Sequence, residues 1–406
     1  MRTLSPNTTL LDGPGLWMET NGVDQLQRVA AFPGCAAAAG MPDLHAGKGP
    51  VGAAFAFTDG AHPALIGGDA GCGARATALA GLARPGLDAL ERRARELMAE
   101  PALDGVDPAA LVIAAWTEGP RGLARLPGMP EALAELAQEP PDGLPPSSEA
   151  PDPERCASQL GTIGGGNHFL ELGEVSTVHD KDRAKNAGFS RGALVVLAHS
   201  GSRGLGGWLA SRWPADPAEA LQDEALAAFS SDLAGACRFA RANRLLLTWR
   251  LLRAVGGARR GKVSGGVDLT HNAVWPWSDG ERSGWLHRKG AAPAEKNQLT
   301  VVLGSRGAPS ELMEGLGAAG ALCTVAHGAG RKLDRSSALN RMKHRYHRDQ
   351  LLRTKLGSRV ICDDANLLYE EHPEAYKPIG PVIDALEAAG AARRIASITP
   401  LLTIKV

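Results

Sequence analysis

The chain carries no surplus of charge of either sign. Its 44 lysines and arginines are matched by 44 aspartates and glutamates. A protein that holds nucleic acid by bulk charge is basic, so that mode is excluded and any RNA or DNA partner needs a local basic surface. Aromatic residues are scarce, at 4%. No stretch reaches the ~18 consecutive apolar residues of a membrane helix. The opening segment MRTLSPNTTLLDGPG lacks the basic stretch and long apolar run of a secretory signal. The six cysteines (Cys35, Cys72, Cys156, Cys237, Cys323, Cys362) show no CxxC spacing, which argues against a disulfide scaffold and for reduced thiols at a cytoplasmic address.

Glycine, by contrast, is abundant: 50 residues, well above the roughly 7% of average proteins. Disorder is not indicated, because 44% of the chain is hydrophobic and the apolar residues recur in runs. The runs VGAAFAF (51–57), ALVVLAHS (193–200), LTVVLGS (299–305) and ALCTVAHG (321–328) are short and stop at glycine-rich polar turns, the pattern of buried strands. Helical spacing is expected over 87–100, and again over 232–255, which combines an apolar stripe with several arginines. Residues 139–155 carry six prolines and five acidic residues and read as a solvated loop. No internal repeat is visible. The expected fold class is α/β (mixed α+β): one compact domain over 1–406 with buried sheets, a helical and proline-rich acidic insertion at 85–155, and a helical segment at 207–258.

Chemistry-bearing residues sit at the ends of the apolar runs. Asp69 and Cys72 lie in GGDAGCGAR, where glycines permit a turn tight enough for carboxylate and thiolate to meet on one ion. A glycine turn around a buried cysteine is the plainer alternative. His168 follows three glycines in GTIGGGNHFLEL, with Asn167 and Glu171 nearby. His199 ends ALVVLAHS, His271 lies in DLTHNAVW and His327 in AHGAGRK. A lone histidine after glycines is more often a hydrogen-bonded structural residue than a ligand. Together with Asp69 and Cys72 these histidines form a plausible converging metal site. Donor softness favours zinc. Five donors exceed a closed four-ligand site, so two ions sharing the thiolate is the simpler reading, and two-metal sites suit phosphoryl chemistry. The turns GSRG (201–204), LGSRG (303–307) and HGAGRK (327–332) offer backbone N–H groups to phosphate, although none is a P-loop or Rossmann fingerprint. Residues 331–359 hold ten Lys/Arg against two Asp. They read either as a solvated helical face or as a track for RNA phosphates, with Arg341, Arg345 and Arg348 as candidate contacts.

These blocks, in this order, resemble the RtcB family of RNA ligases. The resemblance is carried by MPDLHAGKG (41–49), GGDAGCGAR (67–75), GTIGGGNHFLEL (161–172), AHSGSRGLG (198–206), DLTHNAVW (268–275), LHRKGA (286–291), LGSRG (303–307), AHGAGRK (326–332), EAYKP (374–378) and IKV (404–406). It implies a ligase that joins RNA 3′-phosphate or 2′,3′-cyclic phosphate ends to 5′-hydroxyl ends, using GTP and Mn²⁺. The implied metal ligands are Asp69, Cys72, His168, His199 and His271, with Cys72 bridging two ions, and His327 is the implied site of covalent GMP attachment. Implied guanylate contacts are Asn167, His168, Phe169, Leu170, Glu171, His271, Asn272, Leu303, Gly304, Ser305, Arg306, Ser310, His327, Gly328, Ala329, Gly330, Tyr376 and Lys405.

This chain has LGSRG where the family usually reads PGSMG, and ends Lys405-Val406 rather than Lys-Gly. Arg306, HGAGRK and LGSRVICDD (356–364) resemble the branch that accompanies a release-factor-like protein, release factor H. That branch implies rRNA of damaged ribosomes as the substrate. Two other readings use the same residues: a two-metal phosphoesterase or nuclease with His327 merely structural, and a non-catalytic RNA- or ribosome-binding relative.

Overall fold

The computed structural model describes residues 1–259 and 261–406. Two large sheets dominate. The first has the order β1 (Arg2–Ser5), β2 (Thr8–Leu10), β3 (Cys35–His45), β4 (Val51–Phe57), β10 (Ser283–Lys289) and β9 (Asn272–Ser278). The second runs β12 (Leu299–Val302), β13 (Ser310–Gly315), β16 (Ala392–Lys405), β6 (Phe169–Val178), β7 (Leu194–Ser200), β5 (Gly73–Leu79) and β8 (Val263–Thr270). A further strand, β15 (Arg359–Cys362), pairs parallel to β16, and β11 (Ala291–Pro293) pairs with β14 (Thr324–Ala326). The mixed α/β class expected from the sequence is the one observed. No helix among the described residues is long and apolar enough to cross a membrane. All six cysteines are free thiols.

The helix Asp223–Ala254 is the main prop of the second sheet. At 32 residues it extends about 48 Å. It begins nine residues before the expected start, and from Asp232 onward it is buried nearly all round rather than along one stripe. Leu245, Leu246 and Phe239 pack with Leu170, Leu172, Val196 and Ala198 of the sheet. Its Gly235 is needed: a Cβ there would lie 2.1 Å from the Trp116 ring.

Three expectations need correction. Residues 139–155 do not form a fully solvated loop. Glu139 pairs with Arg75 and Arg241, Asp142 pairs with Arg238 at 2.8 Å, and Trp116 Nε1 donates to Ser148 O. Guanidinium partners offset the cost of removing these carboxylates from water, so the segment is strapped to the long helix. The run 321–328 gives only the three-residue strand β14, because Leu322 and Cys323 take left-handed φ of 52° and 47° after a 3₁₀ turn. The run 299–305 leaves its strand at Val302.

Candidate active site

Strand order explains how ligands far apart in sequence meet. β6, β7, β5 and β8 are consecutive neighbours and every pair is antiparallel. One edge therefore collects the start of β6, the end of β7, the start of β5 and the end of β8. Those four points are flanked by His168, His199, Cys72 and His271. The register pairs Phe169 with His199, and Gly73 with both Ser200 and Thr270. With strands about 4.8 Å apart, four side chains at this edge converge.

Cys72 Sγ lies 3.2 Å from His168 Nε2, 3.3 Å from His271 Nε2 and 3.5 Å from His199 Nε2. Asp69 Oδ1 is 3.8 Å from His168 Nε2. A metal bound tetrahedrally by thiolate at ~2.3 Å and imidazole at ~2.0 Å holds the two donor atoms about 3.5 Å apart. The residues present therefore fit a metal. Burial pushes the pKa of His199 and His271 well below the usual imidazole range, and the neighbouring rings add to the effect. Burial lowers His168 as well. Burial thus favours the neutral form of all three rings, the form whose lone pairs ligate a metal. Burial, with the Asp69 carboxylate beside it, pushes the Cys72 thiol well up, so a metal must displace its proton.

His327 stands next to this cluster. Its ring centroid is 4.9 Å from that of His271 and 6.3 Å from that of His199. Its Nδ1 lies 2.7 Å from Oδ2 of Asp43, a carboxylate with no solvent exposure. Burial opposes protonation of His327, but the Asp43 carboxylate outweighs it and the pKa ends up raised. With Nδ1 turned to Asp43, Nε2 is the ring nitrogen left for a substrate.

A cleft of about 220 Å³ opens beside His327 and His199. Asn167, Phe169, Glu171, Tyr376, Lys405, the 303–306 turn and the 328–330 turn line it. The two turns are joined where Leu303 N donates to His327 O at 3.0 Å. Burial raises the Glu171 carboxyl to about 7, against the opposing effects of the Thr403 hydrogen bond and Lys405. Lys405 Nζ donates to His168 O at 2.9 Å, and burial pulls its pKa down to about 8. Other implied contacts lie elsewhere. Leu170 points into the hydrophobic core, because alternation along β6 sends only Phe169 and Glu171 to the cleft. Ser310 Oγ accepts from Gly304 N at 3.0 Å and so shapes the turn. Asn272 Nδ2 donates to Asp69 O at 2.7 Å and Ile66 O at 3.0 Å, fixing the metal-ligand loop. Arg306, by contrast, does line the cleft, and it is buried and donates to Leu368 O.

A family model described as tRNA-splicing ligase RtcB matches residues 25–406. The chain belongs to the RtcB family. An Escherichia coli protein named RNA-splicing ligase RtcB2 is 36% identical over 412 residues, covering all of this chain and 97% of that protein. RNA-splicing ligase RtcB of Mycobacterium bovis is 30% identical over 452 residues, covering 94% of this chain and all of its own length.

Within this RtcB-family chain, the basic segment is partly engaged with its surroundings. Arg341, Arg345 and Arg348 are exposed on or just beyond the helix Arg335–Arg345. Arg345 pairs with Glu374 at 2.6 Å, and Arg348 reaches Asp363 O at 3.4 Å. Four groups close to the site escaped the sequence reading. Asp43 sits in the quoted block MPDLHAGKG, but nothing local pairs it with His327. Arg203 and Arg335 lie across Gly164 and Gly166, where a Cβ would come within 1.7 and 2.4 Å of their guanidinium nitrogens. The run of three glycines before Asn167 was the available signal for both. Lys289 Nζ donates to Ile66 O at 2.8 Å, behind Asp69. Among the described residues neither Arg203, Arg335 nor Lys289 has an acidic side chain in ion-pair range, which leaves the mouth of the metal cluster cationic.

Proposed function

We propose that this chain is an RNA ligase that consumes GTP, uses two Mn²⁺ ions, and joins RNA 3′-phosphate or 2′,3′-cyclic phosphate ends to 5′-hydroxyl ends. The observation that carries the reading is a single imidazole, His327, oriented by a buried carboxylate and set beside a thiolate–histidine metal cluster at the edge of a cleft. In this reading Asp69, Cys72, His168, His199 and His271 hold the ions, which neutralise charge on phosphoryl oxygens. His327, in its neutral form with the proton on Nδ1, attacks the α-phosphorus of GTP through the Nε2 lone pair. An N–P bond forms, the bond to pyrophosphate breaks, and the resulting imidazolium keeps its Nδ1 proton against Asp43. Asn167, Phe169, Glu171, Tyr376 and Lys405 hold the guanylate, and Arg203 and Arg335 accept RNA phosphates at the mouth. GMP then passes to the RNA 3′-phosphate, and the 5′-hydroxyl displaces it.

Incubation with [α-³²P]GTP and Mn²⁺ tests the proposal. Label that survives denaturation and is released by acid is expected. Phosphatase activity without label replaces the proposal with a hydrolase. The resemblance to the release factor H branch extends the proposal to rRNA ends, tested by offering intact and nicked ribosomes as competitors in ligation of matched RNA ends.

A further inference from the structure

The helix Asp223–Ala254 sends two fully buried polar side chains, Asn243 and Arg244, toward the underside of the metal-ligand turns. Arg244 Nη1 donates to Gly71 O at 2.9 Å and to Ser200 O at 3.0 Å. Its Nε and Nη2 donate to Asp268 Oδ1 at 3.0 and 2.6 Å. Gly71 is the residue before Cys72, Ser200 follows His199, and Asp268 stands three residues ahead of His271 on β8. Asn243 adds the fourth turn: its Oδ1 accepts from Thr162 N, and its Nδ2 donates to Thr162 O and Ser200 Oγ, each at 3.0 Å, tying the loop that leads to His168 to the end of β7.

The glycines of GGDAGCGAR take part in this arrangement. A Cβ on Gly73 would lie 2.2 Å from Leu269 O of β8 and 2.8 Å from the Arg244 guanidinium, so the glycine after Cys72 admits both the neighbouring strand and Arg244. Gly71 has φ +79°, and a Cβ there would lie 2.9 Å from Ala236 O of the same helix. Turns this rich in glycine have little conformational preference of their own and depend on external bonds to hold three imidazole nitrogens 3.2–3.5 Å from Cys72 Sγ. A planar guanidinium, donating in several directions at once, reaches two carbonyls and a carboxylate together. A lysine ammonium on a flexible stem does not.

We propose that Arg244 is the positioning residue of the metal site, clamping from below the turns that carry Asp69 and Cys72, His199 and His271. The inference rests on the reading that this cluster holds divalent metal. Partners that orient metal ligands without touching the ion change affinity about 10–100-fold when removed. The expectation for Arg244→Lys, which keeps the charge beside Asp268 and gives up the carbonyl contacts, is an affinity loss of about tenfold or more.

The test is a Co²⁺ titration of the full chain, followed by thiolate-to-cobalt absorption, with thermal unfolding of the metal-free protein measured in parallel. Arg238→Lys is the matched control, because Arg238 lies on the same helix but bonds Asp142, Leu144 and Pro145 of the strap. Weaker Co²⁺ binding with a shifted band in Arg244→Lys, alongside an unchanged titration in Arg238→Lys, supports the clamp. Wild-type affinity in Arg244→Lys overturns it, as does an equal loss in Arg238→Lys. Asp268→Asn supplies the same comparison if Arg244→Lys does not fold. Absence of Co²⁺ binding by the wild type overturns the metal reading itself, a result distinct from equal binding by all variants.

Discussion

The metal edge and the basic helix Arg335–Arg345 use polar side chains in opposite ways. At the metal edge Cys72, His168, His199 and His271 each follow or precede a strand, are buried and are fixed by strand register, and only Asp69, in the glycine turn before Cys72, is exposed. On the helix the arginines are exposed, and two of the three candidate RNA contacts already have neighbours in Glu374 and Asp363. A site that performs chemistry on one phosphorus needs atoms placed by backbone, whereas a surface that attracts a polyanion needs only charge at approximate spacing. Single substitutions are therefore expected to act steeply at the first region and gradually at the second.

The steepest expected effect is that of His327→Ala, which removes the proposed nucleophile: acid-labile GMP attachment falls to zero while circular dichroism is unchanged. Wild-type labelling of that variant would falsify the assignment. Asp43→Asn comes next. It keeps the shape but loses the carboxylate that faces Nδ1, and cases of this kind cost roughly 10²–10⁴ in rate. Single-turnover guanylylation is the measurement, and a loss under threefold makes Asp43 a packing residue. Neutralising Arg341, Arg345 and Arg348 together is expected to lower the slope of log affinity against log salt for single-stranded RNA by about 2. An unchanged slope assigns the helix to plain solvation and sharpens the contrast between the regions.

The smallest effect is on stability. Glu171 ionises near 7 in the folded protein but near its ordinary value when unfolded. Between those values the folded state holds the proton more tightly, so the stability contributed by this group is complete below about 4.5 and is lost as pH rises through 7. Glu171→Gln has no such dependence. The variant is expected to gain on the wild type by about 1–3 kcal/mol at pH 8 and by nothing at pH 4, as read from urea unfolding at both values.

How much of this was legible in the sequence follows the same division. The strand 51–57 was read to the residue, since it is a continuous apolar run bounded by glycine and a polar turn. The gathering of Cys72, His168, His199 and His271 was legible because each borders such a run, and Asp69 because it shares the glycine turn of Cys72. Period-two alternation along β6 was legible too: it separates Leu170, whose side chain joins the core, from Phe169 and Glu171, which line the cleft. The strap at 139–155 was misread because carboxylates look solvated until their partners are known, and Arg238 and Arg241 lie about 100 residues away. Asp43 and Arg244 were invisible for the same reason: their meaning lies wholly in long-range contacts. Alternation, glycine and run length are local signals, and charge pairing across the fold is not.

The four consecutive antiparallel strands have a consequence for assembly. Cys72 and His271 are separated by 199 positions, so the ligand set comes into being only after pairings of high contact order have formed, and these are slow to close. A one-residue slip in any of those pairings would turn a ligand to the wrong face of the sheet. Ion binding thus rewards only the correctly registered chain, adding about 2.7 kcal/mol when free metal stands at a hundred times its dissociation constant. Refolding yield with and without divalent ions then becomes a proofreading assay for β-strand registration.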